Sequence, residues 1–516
     1  MKRGFSQLTF CMLVTGALYG CTSLGPDYTE PTPAWLAQWQ PDLYGQLENP
    51  PTQLSAMQDW WLRFDDTALD SLIASVIDNN PNLQISALRL LESYARLGGA
   101  RALRLPQSQQ FTASATWLRQ RQSNGLLPAS DNTLGSYNLG LGAGWEIDFW
   151  GRFQRGIEAA DAAFLSDLAN QRDVQVLLIS QTASIYYAWR TTQQRIRIAE
   201  QNAQIQKRSF EITQRLFDSG QESELDLQQA KTQYLATLAG IPDLERSLVQ
   251  QRNAIAALLG RPPGVLAQLR GGEAELPTLE PVAISGLPVQ LLLRRPDVRR
   301  SAWQAAGQSA QIGIAKAEFY PSISLLGSFG WTGDSLDVTR DGTAFAVGPA
   351  IRWNIFDYGR IRANVRVQDA RLQQALLAFD AVVLDAAREI DDAAIAVIKT
   401  GQARAVFAQA REAAQRALEL ANARYQEGYA DFQRVLDAQR ALFSQSEKEL
   451  LNDGAHIVAV IELFRALGGG WKAQSFEEMI PEGVRSDLRA RENWGDLLDV
   501  TLPEDLGSAD SKGSAR

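Results

Sequence analysis

The chain states one pattern twice at constant spacing. Trp145-Glu146-Ile147-Asp148-Phe149-Trp150-Gly151-Arg152 returns as Trp353-Asn354-Ile355-Phe356-Asp357-Tyr358-Gly359-Arg360, 208 residues later. Further on, Arg215-Leu216-Phe217-Asp218-Ser219-Gly220 returns as Arg424-Tyr425-Gln426-Glu427-Gly428, and the two closing glycines are again 208 apart. A duplication that keeps its length this rigidly implies one continuous element whose length matters. Residues 157–219 hold neither Gly nor Pro, and residues 360–427 hold only Gly401. Ala, Gln, Arg, Leu and Glu, all strong helix formers, dominate both stretches. From Gly151 to Gly220, and from Gly359 to Gly428, is 69 residues, which as a helix spans roughly 100 Å. An ordinary globular core needs no such helix. A dimeric coiled coil would use one, so the flanking segments decide.

Upstream of each helix the pattern changes to period two. Phe111, Ala113, Ala115 and Trp117 alternate with polar residues, as do Leu139, Leu141, Ala143 and Trp145. The second copy repeats this over Ile323–Trp331 and Phe345–Trp353. Apolar alternation with aromatics near the ends fits membrane-spanning β-strands of about 10 residues; a soluble hairpin shows the same alternation. The stretches 118–135 and 332–342 between the strands are polar and Gly-rich, as exposed barrel loops are. Four strands cannot close a barrel, which needs about 8, and an open sheet edge cannot sit in lipid. Membrane-spanning strands would therefore require oligomerisation. A dimer would supply 8 strands and a trimer 12, and the strand pattern does not choose between them.

The N-terminus supplies a compartment. Lys2 and Arg3 precede an apolar run from Phe5 to Ala17, followed by Leu18-Tyr19-Gly20-Cys21. The run is too short to span a membrane as a helix and reads as a signal peptide. The small residue before Cys21 matches a bacterial lipoprotein cleavage site, which would leave Cys21 as the lipidated first residue and remove Cys11. Thr22 in place of Asp resembles an outer-membrane address. One lipid attachment anchors without spanning. The 50 basic and 59 acidic residues give a net charge of −9 and are interleaved, so no nucleic-acid partner is expected. A single histidine, His456, provides no metal or acid–base cluster, and no phosphate-binding Gly loop is present. Neither an enzyme, a cofactor nor a metal site is expected.

These landmarks divide the chain into a leader (1–20), an anchored extended segment (21–58), a first repeat (59–260), a linker (261–290), a second repeat (291–470) and a C-terminal segment (471–516). The hairpins fall at 106–150 and 320–357. Leu97-Gly98 to Pro106 returns as Ile312-Gly313 to Pro321 with an offset of 215. The seven extra residues of the first repeat are therefore expected inside its hairpin, where loop length is tolerated. Shorter helices are expected at 67–105 and 296–318, and returning helices at 221–259 and 430–467. Residues 25–55 should run extended along the surface, and Gly507–Arg516 should be disordered.

The chain resembles the outer-membrane factor (TolC) family, in particular its lipoprotein branch serving multidrug efflux. The resemblance rests on Gly25-Pro26-Asp27-Tyr28, Trp60-Trp61-x-x-Phe64, Leu293-Arg294-Arg295-Pro296-Asp297-Val298-Arg299 and Ala315-Lys316-Ala317-x-x-x-Pro321. Arg424-Tyr425-x-x-Gly428 with Val435-Leu436-Asp437-Ala438-Gln439, and Ala466-Leu467-Gly468-Gly469-Gly470-Trp471, complete it. It implies a homotrimer in which a 12-stranded outer-membrane barrel continues into a 12-helix periplasmic barrel. It also implies a periplasmic adaptor and an inner-membrane pump, of the proton-driven RND type, as partners. Arg215, Leu216, Gly220, Arg424 and Gly428 would then dock the adaptor. Tyr425 and Asp226 match a latching phenol–carboxylate pair. Asp437 matches an acidic ring at the aperture, and Asp431 could substitute for a second ring where the family's Asp position carries Arg434. A duct for secreted proteins and a coiled-coil lipoprotein without a channel are the alternatives.

Overall fold

The computed structural model describes residues 23–36, 39, 47–48, 57–122, 130–269, 275–279, 284–285, 292–334 and 342–503. The leader, Cys21 and Gly507–Arg516 lie outside the described residues. The first repeat runs α1 (Thr67–Asn79), α2 (Pro81–Ala102), β1 (Ser108–Gln122), β2 (Ser130–Ile147), α3 (Arg152–Asp218) and α4 (Glu224–Leu258). The second runs α5 (Pro296–Ala317), β3 (Ser322–Gly333), β4 (Gly342–Arg352), α6 (Arg360–Gln426) and α7 (Phe432–Ala466). Two short helices follow, α8 (Phe476–Met479) and α9 (Glu482–Arg491).

The duplication is a duplication of backbone. Both long helices have 67 residues, both returning helices 35, and α2 and α5 both have 22. Gly151 and Gly359 precede the long helices with φ of 72° and 86°. Gly220 and Gly428 end them with φ of 75° and 78°. At each end the residue after the glycine donates back to the carbonyl five residues earlier, Gln221 to Leu216 and Tyr429 to Arg424, both at 2.8 Å. This six-residue cap consumes an orphan carbonyl and requires a left-handed residue, which only Gly adopts without strain. Because Leu216 and Arg424 play the same part, the equivalent of Tyr425 is Phe217. The apparent pairing of Arg215 with Arg424 read from the sequence is displaced by one residue.

Each entering helix begins where a returning helix ends. Asn80 caps α2 and its Nδ2 donates to the Leu258 carbonyl at 2.8 Å, while Arg295 Nη1 donates to the equivalent Ala466 carbonyl at 2.7 Å. The two shorter helices of a repeat thereby stack end to end beside the 67-residue one. The main core gathers at this junction. Trp60 stacks on Phe464 with ring centroids 5.5 Å apart, and Phe64 packs on Tyr187. Asp66 caps α1 and also accepts from Tyr186 and Arg190 of α3.

The strands form one antiparallel sheet in the order β1-β2-β3-β4. Phe111 faces Leu141, Leu141 faces Phe329, and Phe329 faces Phe345, so an apolar row crosses all four strands on one face, and it is exposed. The opposite face carries Thr112, Ser114, Gly140, Gly142, Ser328 and Ala346, small and polar. Both outer edges, β1 and β4, have no further partner strand among the described residues.

Several expectations need correction. The first hairpin pairs from Ser108↔Gly144 to Gln122↔Ser130, so its loop is far shorter than 118–135. Strand starts Ser108 and Ser322 differ by 214 whereas Pro106 and Pro321 differ by 215, so one of the seven extra residues, Gln107, precedes the strand. The stretch read as one helix over 67–105 breaks at Asn80-Pro81, where Asn80 leaves helical conformation. The C-terminal segment joins the core ahead of its last part: Phe476, Met479, Ile480 and Leu498 are buried against α2 and α3. Nor does the N-terminal segment merely lie on the surface, since Tyr28 and Leu36 are buried. Leu47–Glu48 pairs in parallel with Ile284–Ser285 of the linker.

Candidate functional site

The tip farthest along the helices from the sheet holds the two glycine turns. A small separate core forms there from Ala230 of α4, Leu418 of α6, and Phe432, Val435 and Leu436 of α7. Tyr425 lies on its rim, its ring 5.4 Å from that of Phe432. The Tyr425 hydroxyl donates to Glu222 Oε1 at 2.8 Å, joining the end of α6 to the first glycine turn. Burial first, and then the Glu222 carboxylate, raises the phenol's pKa, with Asp226 adding a smaller push in the same direction. The phenol is therefore a fixed donor throughout the physiological range.

The structure thus brings Tyr425 to Glu222, not to Asp226, as its hydrogen-bond acceptor. Asp226 belongs to the cap of α4. Its N–H bonds to Ser223 Oγ at 3.2 Å, and its carboxylate accepts from the same hydroxyl. Asp431 holds the equivalent cap of α7, accepting from Arg434 N at 3.4 Å, and its carboxylate lies 3.7 Å from the Arg434 guanidinium. Asp437 is exposed, accepts from Gln433 at 3.1 Å and lies 3.7 Å from Arg440. Asp431 and Asp437 thus each have an Arg one helical turn away. Arg215 and Arg424 are exposed beside the turns, Leu216 is half-buried, and Gly220 and Gly428 have open space where a Cβ would be. Glu222 was missed because Glu222, Glu224 and Asp226 crowd one turn, and spacing alone cannot rank three carboxylates.

At the opposite end a strap docks where sheet and helices meet. Leu24 N donates to Trp150 O at 3.1 Å. A Cβ on Gly151 would fall 2.6 Å from Ser23 Cα, and one on Gly25 would fall 2.6 Å from Gly313 Cα. Arg155 spans the crossing, with Nε on Leu24 O at 3.0 Å and Nη2 on Asp27 at 2.7 Å. Arg299 then holds Glu30 through one nitrogen and both carboxylate oxygens, at 2.8 and 3.0 Å. Ser23 is two residues beyond Cys21, so the expected lipid site leads directly into the base of the sheet. Trp150 and Tyr320 stack there, 4.6 Å apart, as interfacial aromatics do at a membrane boundary.

Among the described residues no helix is long and apolar enough to cross a membrane, and no three metal-binding side chains cluster. An exposed apolar sheet face with two open edges, set on helices of 67 residues, defines one protomer's share of a membrane duct: a β-barrel continued by an α-barrel. The chain belongs to the outer membrane efflux protein family, which matches residues 72–261 and 287–469. It is 32% identical over 477 residues, 90% of this chain and 97% of the relative, to the solvent efflux pump outer membrane protein SrpC of Pseudomonas putida. It is 30% identical over 468 residues, 88% of this chain and 96% of the relative, to the probable outer membrane lipoprotein SilC of Salmonella typhimurium. The solved outer-membrane channel OprN matches 87% of this chain over its whole length, with a TM-score of 0.79 and 30% identity. The protein is the outer-membrane channel component of an efflux system, and the family is one of transport ducts.

Proposed function

We propose that three copies close a 12-stranded barrel from their four strands each, anchored by lipid on Cys21, and that the tip is a gate held by Tyr425 and Glu222. The observation that carries the gate is the Tyr425–Glu222 bond, because it ties α6 to the opposite glycine turn across the end of the coil. A bond to an ionised acceptor contributes about 1.5–3 kcal/mol, and half-exposure places this one at the low end. That is enough to hold a gate closed and little enough for a docking partner to release. Asp226 supports the phenol electrostatically, and Asp431 and Asp437 line the aperture. Their Arg434 and Arg440 neighbours offset much of the negative potential, so cation preference is weak. The turns at Gly220 and Gly428, with Arg215, Leu216 and Arg424, receive a periplasmic adaptor that couples the duct to a proton-driven inner-membrane pump of the RND type. The SrpC name supports small apolar solutes as cargo. No resident cofactor or metal enters this reading.

Single-channel recording in planar bilayers tests the gate. Tyr425→Phe and Glu222→Gln are each expected to raise closed-state conductance several-fold, with Asp226→Ala giving a smaller rise. Unchanged conductance in both Tyr425→Phe and Glu222→Gln would sink the latch.

A further inference from the structure

The contacts inside one chain dictate those between chains. We infer that β4 of one copy pairs with β1 of a second copy in a single register, Trp353 facing Phe111 and Val347 facing Trp117. The inference rests on the oligomeric barrel proposed above and goes beyond it by naming which residues meet.

The step from the first repeat to the second is repeated from the second repeat to the first repeat of the next copy. Within the chain, β2 pairs with β3, Trp145 facing Leu325 and Leu139 facing Trp331. The equivalent of β2 is β4, 208 residues on, as the fixed helix ends require. The equivalent of β3 is β1, 214 residues back, because Ser108 and Ser322 open the two strands. The two hairpins agree with these offsets, since Phe111↔Leu141 maps onto Leu325↔Pro349. Applying both to β2–β3 gives Trp353 opposite Phe111, Val347 opposite Trp117 and Ala350 opposite Ser114.

Side-chain chemistry reaches the same register independently. A one-residue slip would put the apolar row of one strand beside the polar face of the other. A two-residue slip keeps the faces but breaks the pairs: Trp353 would meet Gln109 or Ala113, and Val347 would meet Ala115 or Arg119. The inferred register joins an aromatic pair and an aromatic–branched pair, the combinations that stabilise neighbouring strands. In the single chain Phe111 is 68% exposed and Trp353 55%. The helices obey the same operation. A groove between α3 and α7 is lined by Ile198, Phe443 and Ser446. Their equivalents are Val406 of α6 and Leu235 and Leu238 of α4, all apolar and all exposed in the single chain. The next copy covers them in the way α3 and α7 cover each other.

Cysteine pairs in the full-length protein, expressed in the outer membrane, test this. Facing residues of paired strands come close enough for a disulfide. Ala350→Cys with Ser114→Cys should give inter-chain linked species on a non-reducing gel, whereas Ala350→Cys with Thr112→Cys or Thr116→Cys should not. Val406→Cys with Leu235→Cys should link the helical portion and remains readable if a strand variant fails to assemble. Linking at Thr112 or Thr116 in place of Ser114, or no linking in particles whose detergent mass is still oligomeric, overturns the register. A monomeric mass for the unmodified protein overturns the barrel reading instead.

Discussion

Asp173 of α3 should make the protein less stable at neutral pH than it could be. It shares a cavity with Arg295, Arg300, Asp297, Glu389 and Arg465, where α3, α5, α6 and the end of α7 meet. Burial, and then the charge of Asp297, raise its pKa from 3.8 to about 6, against the pull of Arg300, 3.2 Å away. Between 3.8 and about 6 the folded state keeps a proton that the unfolded chain has lost, and above that window the folded state holds an unfavourable buried charge. Stability from this group is therefore highest below the unfolded value and falls as pH climbs through the folded one. Two pKa units correspond to about 3 kcal/mol. Asp173→Asn keeps a neutral hydrogen-bonding group in place, and Arg300 retains its bond to Asn170. For 516 residues this amounts to a rise of roughly 3 °C in unfolding midpoint at pH 7.5, shrinking to nothing near pH 4. Tryptophan fluorescence during heating in detergent reads it. Asp297→Asn is the opposing control. Burial works against its charge too, but two hydrogen bonds from Arg295 at 2.7 and 3.1 Å overcome this and lower its pKa, so its loss should lower the midpoint at neutral pH. A lower midpoint for Asp173→Asn at pH 7.5, or a gain that persists at pH 4, would refute the reasoning.

Two further outcomes follow from the glycines. Gly313→Ala would place a Cβ 2.5 Å from Leu24 O and 2.7 Å from Arg155 Cγ. The Ser23–Glu30 strap should undock and become cleavable by added protease, while Gly307→Ala on the same helix, with its nearest neighbour at 3.5 Å, should leave it protected. Gly428→Ala meets open space but must adopt φ near +78°, costing about 1 kcal/mol; hydrogen exchange at Tyr429 N–H should quicken about fivefold, and equally at Gln221 for Gly220→Ala.

The long helices and the strands were legible because each is set by a period that local sequence carries. Long runs of helix formers with no Pro and at most one Gly, and apolar alternation, need no tertiary information. The end-to-end joints were not legible. Asn80 and Arg295 have different chemistry yet perform the same act, bonding a carbonyl 178 and 171 residues away, and no local pattern marks that. The Leu293–Arg299 stretch was recognisable as a family feature. Its physical meaning, Arg295 joining two helices and Arg299 gripping Glu30, needed coordinates. The first C-terminal helix, α8, escaped notice because a four-residue helix has no periodicity to read, although Ser475 and Glu478 form a capping box there. At the tip the glycines were readable from conformation alone, whereas the choice of Glu222 over Asp226 depends on which carboxylate the Ser223 cap has already engaged.

Comparing the two turns residue by residue shows where the repeats have diverged. Their helices end on the same cap, with the same 2.8 Å closing bond and nearly the same φ, so the backbone is held constant. At an offset of 208, however, Phe217 stands for Tyr425, Glu222 for Ala430, Asp226 for Arg434 and Gln229 for Asp437. Both members of the latch therefore exist in only one repeat each: the phenol in the second, its acceptor in the first. Two copies of either turn as it stands could not make this bond, because Phe217 offers no hydroxyl and Ala430 no carboxylate. A duplicated hairpin of helices gives a wall of uniform length, and divergence at its turns converts that uniform wall into one whose halves hold each other. Restoring symmetry should then abolish the latch without disturbing the wall: Tyr425→Phe copies the first turn into the second, and removes a single oxygen.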